Sequence, residues 1–330
     1  MSAAITLPQG VELSHLPADF ALERGGSLPG AVLAFERQGP ADAPVVVVLG
    51  GISAGRHVSA HRAVHGPGWW EGFVGDGLAI DTTRFCVLAF DWLGGAGNST
   101  APAAGEAFPF VAAEDQAAAL SHLLQALRIE RIAALVGSSY GGMVGLQFAA
   151  RFPQQLERLC AIAAAHESHP QASAWRAVQR GIVELGLRTG TGPEALALAR
   201  SLAMTTYRTP GELGERFRGA PVFDGARVRF PVQDWLEARG AEFADRWLPE
   251  QFLCLCNSID AHRIDPATVA VPVWLCGFVG DQLVLAAQVR ALAGALPQLR
   301  LHREVSSRYG HDAFLKERHA VSALLREVLS

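Results

Sequence analysis

No stretch of this sequence reaches the run of about 18 apolar residues that a membrane-spanning helix needs, although half of its 330 residues are apolar. That apolar content is instead enough for a large buried core. The first ten residues, Met1 to Gly10, lack a basic start followed by an apolar stretch, so no secretory leader is read there and a soluble, cytoplasmic protein is expected. Long runs of one charge are missing too, since 28 basic and 32 acidic residues are dispersed and leave a formal net charge of −4. With no basic stripe to grip a phosphate backbone, nucleic acid is excluded as the expected partner. Cysteine is scarce and odd in number: Cys86, Cys160, Cys254, Cys256 and Cys276 lie mostly in apolar runs, so reduced core thiols are expected in place of disulfides. Asn98-Ser99-Thr100 fits a glycosylation acceptor, but without a secretion signal it is read as chance. Internal repeats and low-complexity tracts are absent as well.

What the chain does have is an alternation of short apolar runs with longer helical patterns, the signature of a mostly parallel sheet covered by helices. Strands are predicted at 45–49, 85–90, 132–136, 159–165, 271–277 and 299–305, and helices at 114–127, 143–151 and 313–329, the last amphipathic. Between 166 and 265 the pattern breaks into helical pieces with Gly- and Pro-containing joints. The predicted organisation is therefore one core formed by 1–165 and 266–330, with 166–265 inserted as a helical cap.

Gly137-Ser138-Ser139-Tyr140-Gly141 follows one predicted strand and opens a predicted helix. A serine hydroxyl becomes a nucleophile only when a base takes its proton and nothing crowds it. In the G-x-S-x-G elbow, glycines on both sides remove the side chains that would collide in the strand-to-helix turn. Ser139 then sits at a helix N-terminus, where the N–H of Tyr140 faces a developing oxyanion. Ser138 stands one place too early in the pattern, with its side chain directed back toward the sheet. A second oxyanion donor is expected from the loop after an earlier strand, Gly50-Gly51-Ile52-Ser53, with the Ile52 N–H as the candidate.

On this scaffold, the α/β-hydrolase fold, the acid and the histidine follow the serine in that order, each after a later strand. Asp281 follows the run ending at 277, and His311 follows the run ending at 305. His311 would take the serine proton and return it to the leaving group, and Asp281 would fix the imidazole tautomer. Asp260 and Asp265 are weaker candidates because neither follows a clear strand. Among the other histidines, His57, His61 and His65 are spaced four apart, the spacing of one helical face, and His166 and His169 are close neighbours. No acidic or cysteine ligands stand at matching spacing, so no metal is expected.

These residues resemble the homoserine O-acyltransferases, the hydrolase-fold family that contains acetyl- and succinyltransferases of methionine biosynthesis. The resemblance runs through most of the chain. It is carried by Gly51-Ile52-Ser53-Ala54-Gly55-Arg56-His57, by 93–100, Phe108-Pro109 and the elbow, and by Gly280-Asp281-Gln282-Leu283 and Gly310-His311-Asp312-Ala313-Phe314-Leu315. It implies that Asp312 pairs with an amino-acid ammonium and that Arg208, in Thr206-Tyr207-Arg208, binds its carboxylate through a guanidinium fork. It also implies a homodimer. The elbow carries Tyr140 where the acetyltransferases usually have Leu, and the early loop departs from their Leu-Thr-Gly form. The Tyr140 form is more like the succinyl-transferring branch, and Arg56 is a candidate to meet a succinyl carboxylate.

The expected activity is transfer of a succinyl group from succinyl-CoA to homoserine, with no permanently bound cofactor. The alternatives are acetyl-CoA as donor, serine as acceptor, a plain esterase on the same scaffold, and a non-catalytic binding protein that kept the fold.

Overall fold

The computed structural model describes residues 8–330; Met1 to Leu7, most of the stretch read above for a leader, lie outside the described residues. The eight strands of the main sheet are β1 (Glu12–His15), β2 (Val32–Gln38), β3 (Val45–Leu49), β4 (Cys86–Phe90), β5 (Ala134–Ser138), β6 (Leu159–Ile162), β7 (Val273–Val279) and β8 (Leu299–Ser306). They lie side by side in the order β1-β2-β4-β3-β5-β6-β7-β8. From β4 onward every neighbour is parallel, whereas β1 and β2 join one edge antiparallel.

Every residue of β3, β4, β5 and β6 is buried. Parallel strands covered on both faces have no solvent side to alternate with, which is why they read as unbroken apolar runs. Within β3, Val45, Val47 and Leu49 belong to one core cluster and Val46 and Val48 to the other, so successive side chains feed opposite layers. One layer contains helices α1 (Ala113–Ala126) and α2 (Tyr140–Arg151). The opposite layer contains the C-terminal helix and Trp70, whose indole N–H donates to the Phe314 carbonyl at 3.0 Å.

The segment between β6 and β7 contains α3 (Pro170–Thr189), α4 (Gly192–Tyr207), α5 (Pro210–Arg216), α6 (Pro231–Ala244) and α7 (Pro249–Ala261). Each has proline in its first turn, where the missing N–H is no loss. The joints predicted from proline are therefore helix starts. One element there is not helical: Val222–Asp224 and Arg227–Arg229 form an exposed antiparallel hairpin. Beyond β7 lies α8 (Ala286–Ala295).

The closing helix is not the single piece predicted for 313–329. It is split into α9 (Ala313–Lys316) and α10 (Arg318–Val328) by Glu317, whose carboxylate accepts the Ser307 hydroxyl at 2.7 Å and ties the break to the loop before His311.

The two ends of the inserted segment are held together. Ile264 N–H donates to the His166 carbonyl at 2.9 Å, and the buried His262 ring meets the Ala165 carbonyl at 3.2 Å. Burial pushes the His262 pKa down to about 4 from the usual 6.5, so the folded protein holds this ring neutral. The unfolded chain binds the proton near pH 6.5 and the folded chain only near 4, so stability is full above 6.5 and is lost as pH falls through that window. The loss expected by pH 4 is about 3 kcal/mol. Urea midpoints at pH 7 and pH 4.5 should show it, and His262→Gln should flatten the difference. An equal pH dependence in the variant would exclude His262 as its source.

Candidate active site

The strand order reverses at β3, between β4 and β5, which opens a crevice at the carboxyl ends of β3 and β5. Ser139 stands there, between β5 and α2, with φ 54° and ψ −121°, a backbone conformation rare for a residue with a side chain. The turn is this tight because a Cβ on Gly137 would collide with the Gly141 backbone, and one on Gly141 would collide with the Leu49 carbonyl. Backbone bonds brace it: Ser139 N–H donates to Ile162 O and Gly141 N–H to Gly50 O, both at 2.8 Å. Ser138, by contrast, is fully buried as the last residue of β5.

The Ser139 hydroxyl lies 2.8 Å from Nε2 of His311, and Nδ1 of His311 lies 2.7 Å from Oδ2 of Asp281. The second Asp281 oxygen accepts the N–H groups of Leu283 and Val284 at 2.8 and 3.0 Å, so the carboxylate is fully engaged and cannot rotate freely. All three residues are buried. Burial alone would push the His311 pKa down, but the Asp281 charge and hydrogen bond, with Asp312 beside it, outweigh burial and raise it above the usual 6.5. The competing acids are engaged elsewhere. Asp260 pairs with Arg176 and Arg180, and Asp265 caps a short helical turn through Ala267 N–H.

Ser139 and His311 open on a cavity of about 230 Å³, also lined by Gly51, Ile52, Met143, Asp312 and residues of α3, α4 and α7. A Cβ placed on Gly51 would lie 4.0 Å from the Ser139 hydroxyl, so this loop passes directly over it. Tyr140 occupies the first position of α2, where its N–H has no carbonyl of the preceding turn to bond. Its side chain points away into the core, packed edge-on against Trp92 and bonded to the Ser258 hydroxyl at 2.6 Å.

Asp312 is on the cavity wall, and its carboxylate lies 2.9 Å from a terminal nitrogen of Arg208. Burial raises the Asp312 pKa, with Arg208 and His311 pulling against the rise. Arg208 was expected to offer its fork to a substrate carboxylate; here it is buried behind Asp312, with Nε unpartnered, and is not itself on the cavity wall. Its backbone is clamped between the Asp281 and His311 loops, because Gln282 donates to the Arg208 carbonyl at 3.1 Å and Thr209 to the Arg308 carbonyl at 2.6 Å.

Residues 44–317 match the alpha/beta hydrolase fold family. The homoserine O-succinyltransferase of Xanthomonas campestris pv. campestris is 45% identical over 90% of this chain and 78% of its own length. The homoserine O-acetyltransferase of Thermobifida fusca is 33% identical over 97% of this chain and 93% of its own. The chain belongs to the homoserine O-acyltransferases of the α/β-hydrolase fold. Among solved structures, esterase E22 superposes with a TM-score of 0.87 over 98% of this chain and all of its own, at 18% identity, a likeness of fold alone.

In this homoserine O-acyltransferase the loop over Ser139 is fastened by charge, which corrects two expectations. Arg56 does not reach the cavity: its guanidinium pairs with the buried Asp91 carboxylate, which also accepts Arg56 N–H and Asn98 N–H, both at 2.9 Å. His57 and His61 are not on a helix. Both meet one oxygen of the buried Glu36 in β2, at 2.8 and 2.7 Å, while His65 is exposed. The other His57 nitrogen faces the Gly66 carbonyl at 2.7 Å, so both its nitrogens face acceptors, and the protonated ring satisfies both. Burial works against that proton, and the Glu36 and Gly66 bonds together with the charges of Glu36 and Glu71 outweigh it, raising the His57 pKa. Glu36, His57 and His61 place three donor atoms within 4.8 Å of one another, the grouping among the described residues with metal-ligand chemistry. The hydrogen bonds above already occupy these atoms. The sequence offered no spacing rule for Glu36, in β2, or Asp91, just after β4, since each is far along the chain from the histidine or arginine side chains it holds.

Proposed function

We propose that the chain transfers a succinyl group from succinyl-CoA to the side-chain hydroxyl of L-homoserine through an ester on Ser139. The observation that carries this reading is the continuous hydrogen-bonded line from Ser139 through His311 to Asp281, opening on a cavity that also holds Asp312. As Ser139 Oγ attacks the thioester carbonyl, its proton passes to His311 Nε2. The carbon–sulfur bond then breaks, and the departing thiolate takes that proton. The homoserine hydroxyl next gives its proton to His311 and attacks the acyl carbonyl; Ser139 leaves with the proton returned. The N–H groups of Tyr140 and Ile52 would hold the oxyanion in both halves.

Asp312 is placed to meet an ammonium, and Arg208 behind it to meet the adjoining carboxylate once substrate draws the pair apart. The inserted 166–265 segment acts as the cap, excluding water so that the ester waits for an amino acid. Acyl-CoA enters as substrate and coenzyme A leaves as the free thiol, and no resident cofactor has a part in the scheme. The greater identity to the succinyltransferase than to the acetyltransferase supports the choice of donor.

Labelled succinyl-CoA without acceptor should leave label on the peptide carrying Ser139, and homoserine should discharge it faster than water does. An unlabelled enzyme would sink the covalent route. Discharge by water as fast as by homoserine would make the protein an esterase.

A further inference from the structure

Asp91 and Trp92, consecutive residues after β4, hold the two ends of the loop that passes over Ser139. Asp91 takes the far end through Arg56. Trp92 takes the near end: its indole N–H donates to the Gly51 carbonyl at 3.1 Å, and the Ala54 N–H donates to the same oxygen at 3.0 Å. Between these holds the Trp69 indole donates to the Gly55 carbonyl, also at 3.1 Å. The Gly51 carbonyl and the Ile52 N–H belong to one peptide group, and in a trans peptide the two point in opposite directions. A donor fixed on the carbonyl side therefore sets where the N–H points on the other side, and Gly51 and Ile52 both line the cavity. Such a pin has work to do here, because two successive glycines, Gly50 and Gly51, leave the backbone free to turn that peptide over. The same indole packs edge-on against the Tyr140 ring, 4.9 Å between centres, and Tyr140 carries the other proposed oxyanion N–H. Trp92 is buried and is not on the cavity wall, so it reaches the reacting atoms only through these two neighbours.

We propose that Trp92 is a positioning residue for acyl transfer: its indole N–H holds the Gly51–Ile52 peptide so that the Ile52 N–H faces the oxyanion formed at the Ser139-bound carbonyl. The inference rests on the acyl-serine reading above. When Ser139 Oγ adds to the thioester carbon, the electron pair of the C=O double bond moves onto oxygen, and it returns as the carbon–sulfur bond breaks. A donor already aimed at that oxygen stabilises the charge without reorganising at the moment of reaction.

Trp92→Phe keeps a ring against Tyr140 and removes the N–H. Per molecule able to take label on Ser139, kcat should fall about 10-fold, the worth of one fixed hydrogen bond, while KM for succinyl-CoA and for homoserine stays near wild type. The direct readout is the carbonyl stretch of the ester on Ser139, isolated as the infrared difference between enzyme loaded from succinyl-CoA with ordinary and with isotopically heavy carbon at the thioester carbonyl. Donated hydrogen bonds weaken the C=O bond, so the band in the variant should move to higher wavenumber than in wild type. Only folded, acylated molecules contribute to it, and partial misfolding does not imitate the shift. If Trp92→Phe does not fold, the chain carrying benzothienylalanine in place of Trp92, a ring of the same shape with sulfur for the N–H, should show the same shift. A band at the wild-type position overturns the proposal, as does a raised KM with kcat unchanged, which would reduce Trp92 to shaping the cavity. Absence of an ester band in the wild type removes the acyl-serine reading and the proposal with it, and is seen before any substitution is made.

Discussion

Ser139→Ala should lower kcat for acyl transfer by about 10⁴-fold or more while the protein still folds. The hydroxyl is the only Ser139 side-chain group engaged in the site, through His311, and alanine keeps the Cβ that the φ 54° turn already tolerates. The bracing bonds, from Ser139 N–H to Ile162 O and from Gly142 and Met143 N–H to Ser139 O, are all backbone. Melting temperature should therefore stay near that of wild type while thiol release from succinyl-CoA stops. Activity within about 10-fold of wild type would require another nucleophile. Ser138 is poorly placed to be one, because its hydroxyl is buried in β5.

Asp281→Asn should cost about 10³- to 10⁴-fold in kcat. The amide can still accept Leu283 and Val284 N–H through its oxygen, so the loop has what it needs. Its NH₂ group, however, would face His311 Nδ1 and ask that nitrogen to accept. The imidazole proton then moves to Nε2, toward Ser139, and the ring can no longer take the serine proton. The pH profile separates this from simple damage. In wild type, kcat/KM should fall as pH drops through a value above 6.5, because Asp281 outweighs burial in raising the His311 pKa and the protonated ring is not a base. Removing the carboxylate should move that acid limb to lower pH. A limb that stays in place would mean that another group titrates.

The parts legible in the sequence were those governed by local rules. Continuous apolar runs marked strands covered on both faces, such as 45–49, and the glycines flanking Ser139 marked a turn too cramped for side chains. The strand Val32–Gln38, second from one edge of the sheet, was not read. Its burial depends on an N-terminal neighbour and on Glu36 finding two histidines about 20 residues later in the chain. Arg56 and Arg208 illustrate the same boundary. A sequence gives the charge of an arginine, but Asp91 and Asp312 decide where that charge is spent, and both pairings are made by the fold. The cavity-lining Arg176 and Arg200 were missed because helical spacing in the insertion could not show which face closes over Ser139.

The clasp at Ala165, His166, His262 and Ile264 has an evolutionary consequence. Everything between those points can be remodelled as a unit, because the segment leaves the sheet and rejoins it at adjacent places. Ser139, Asp281 and His311 lie outside the clasp, and Arg176, Arg200 and Arg208 lie inside it. Lineages can thus exchange one acyl group or acceptor for another by drift in this hood, so long as the bonds that Arg208 and Thr209 share with the Asp281 and His311 loops persist.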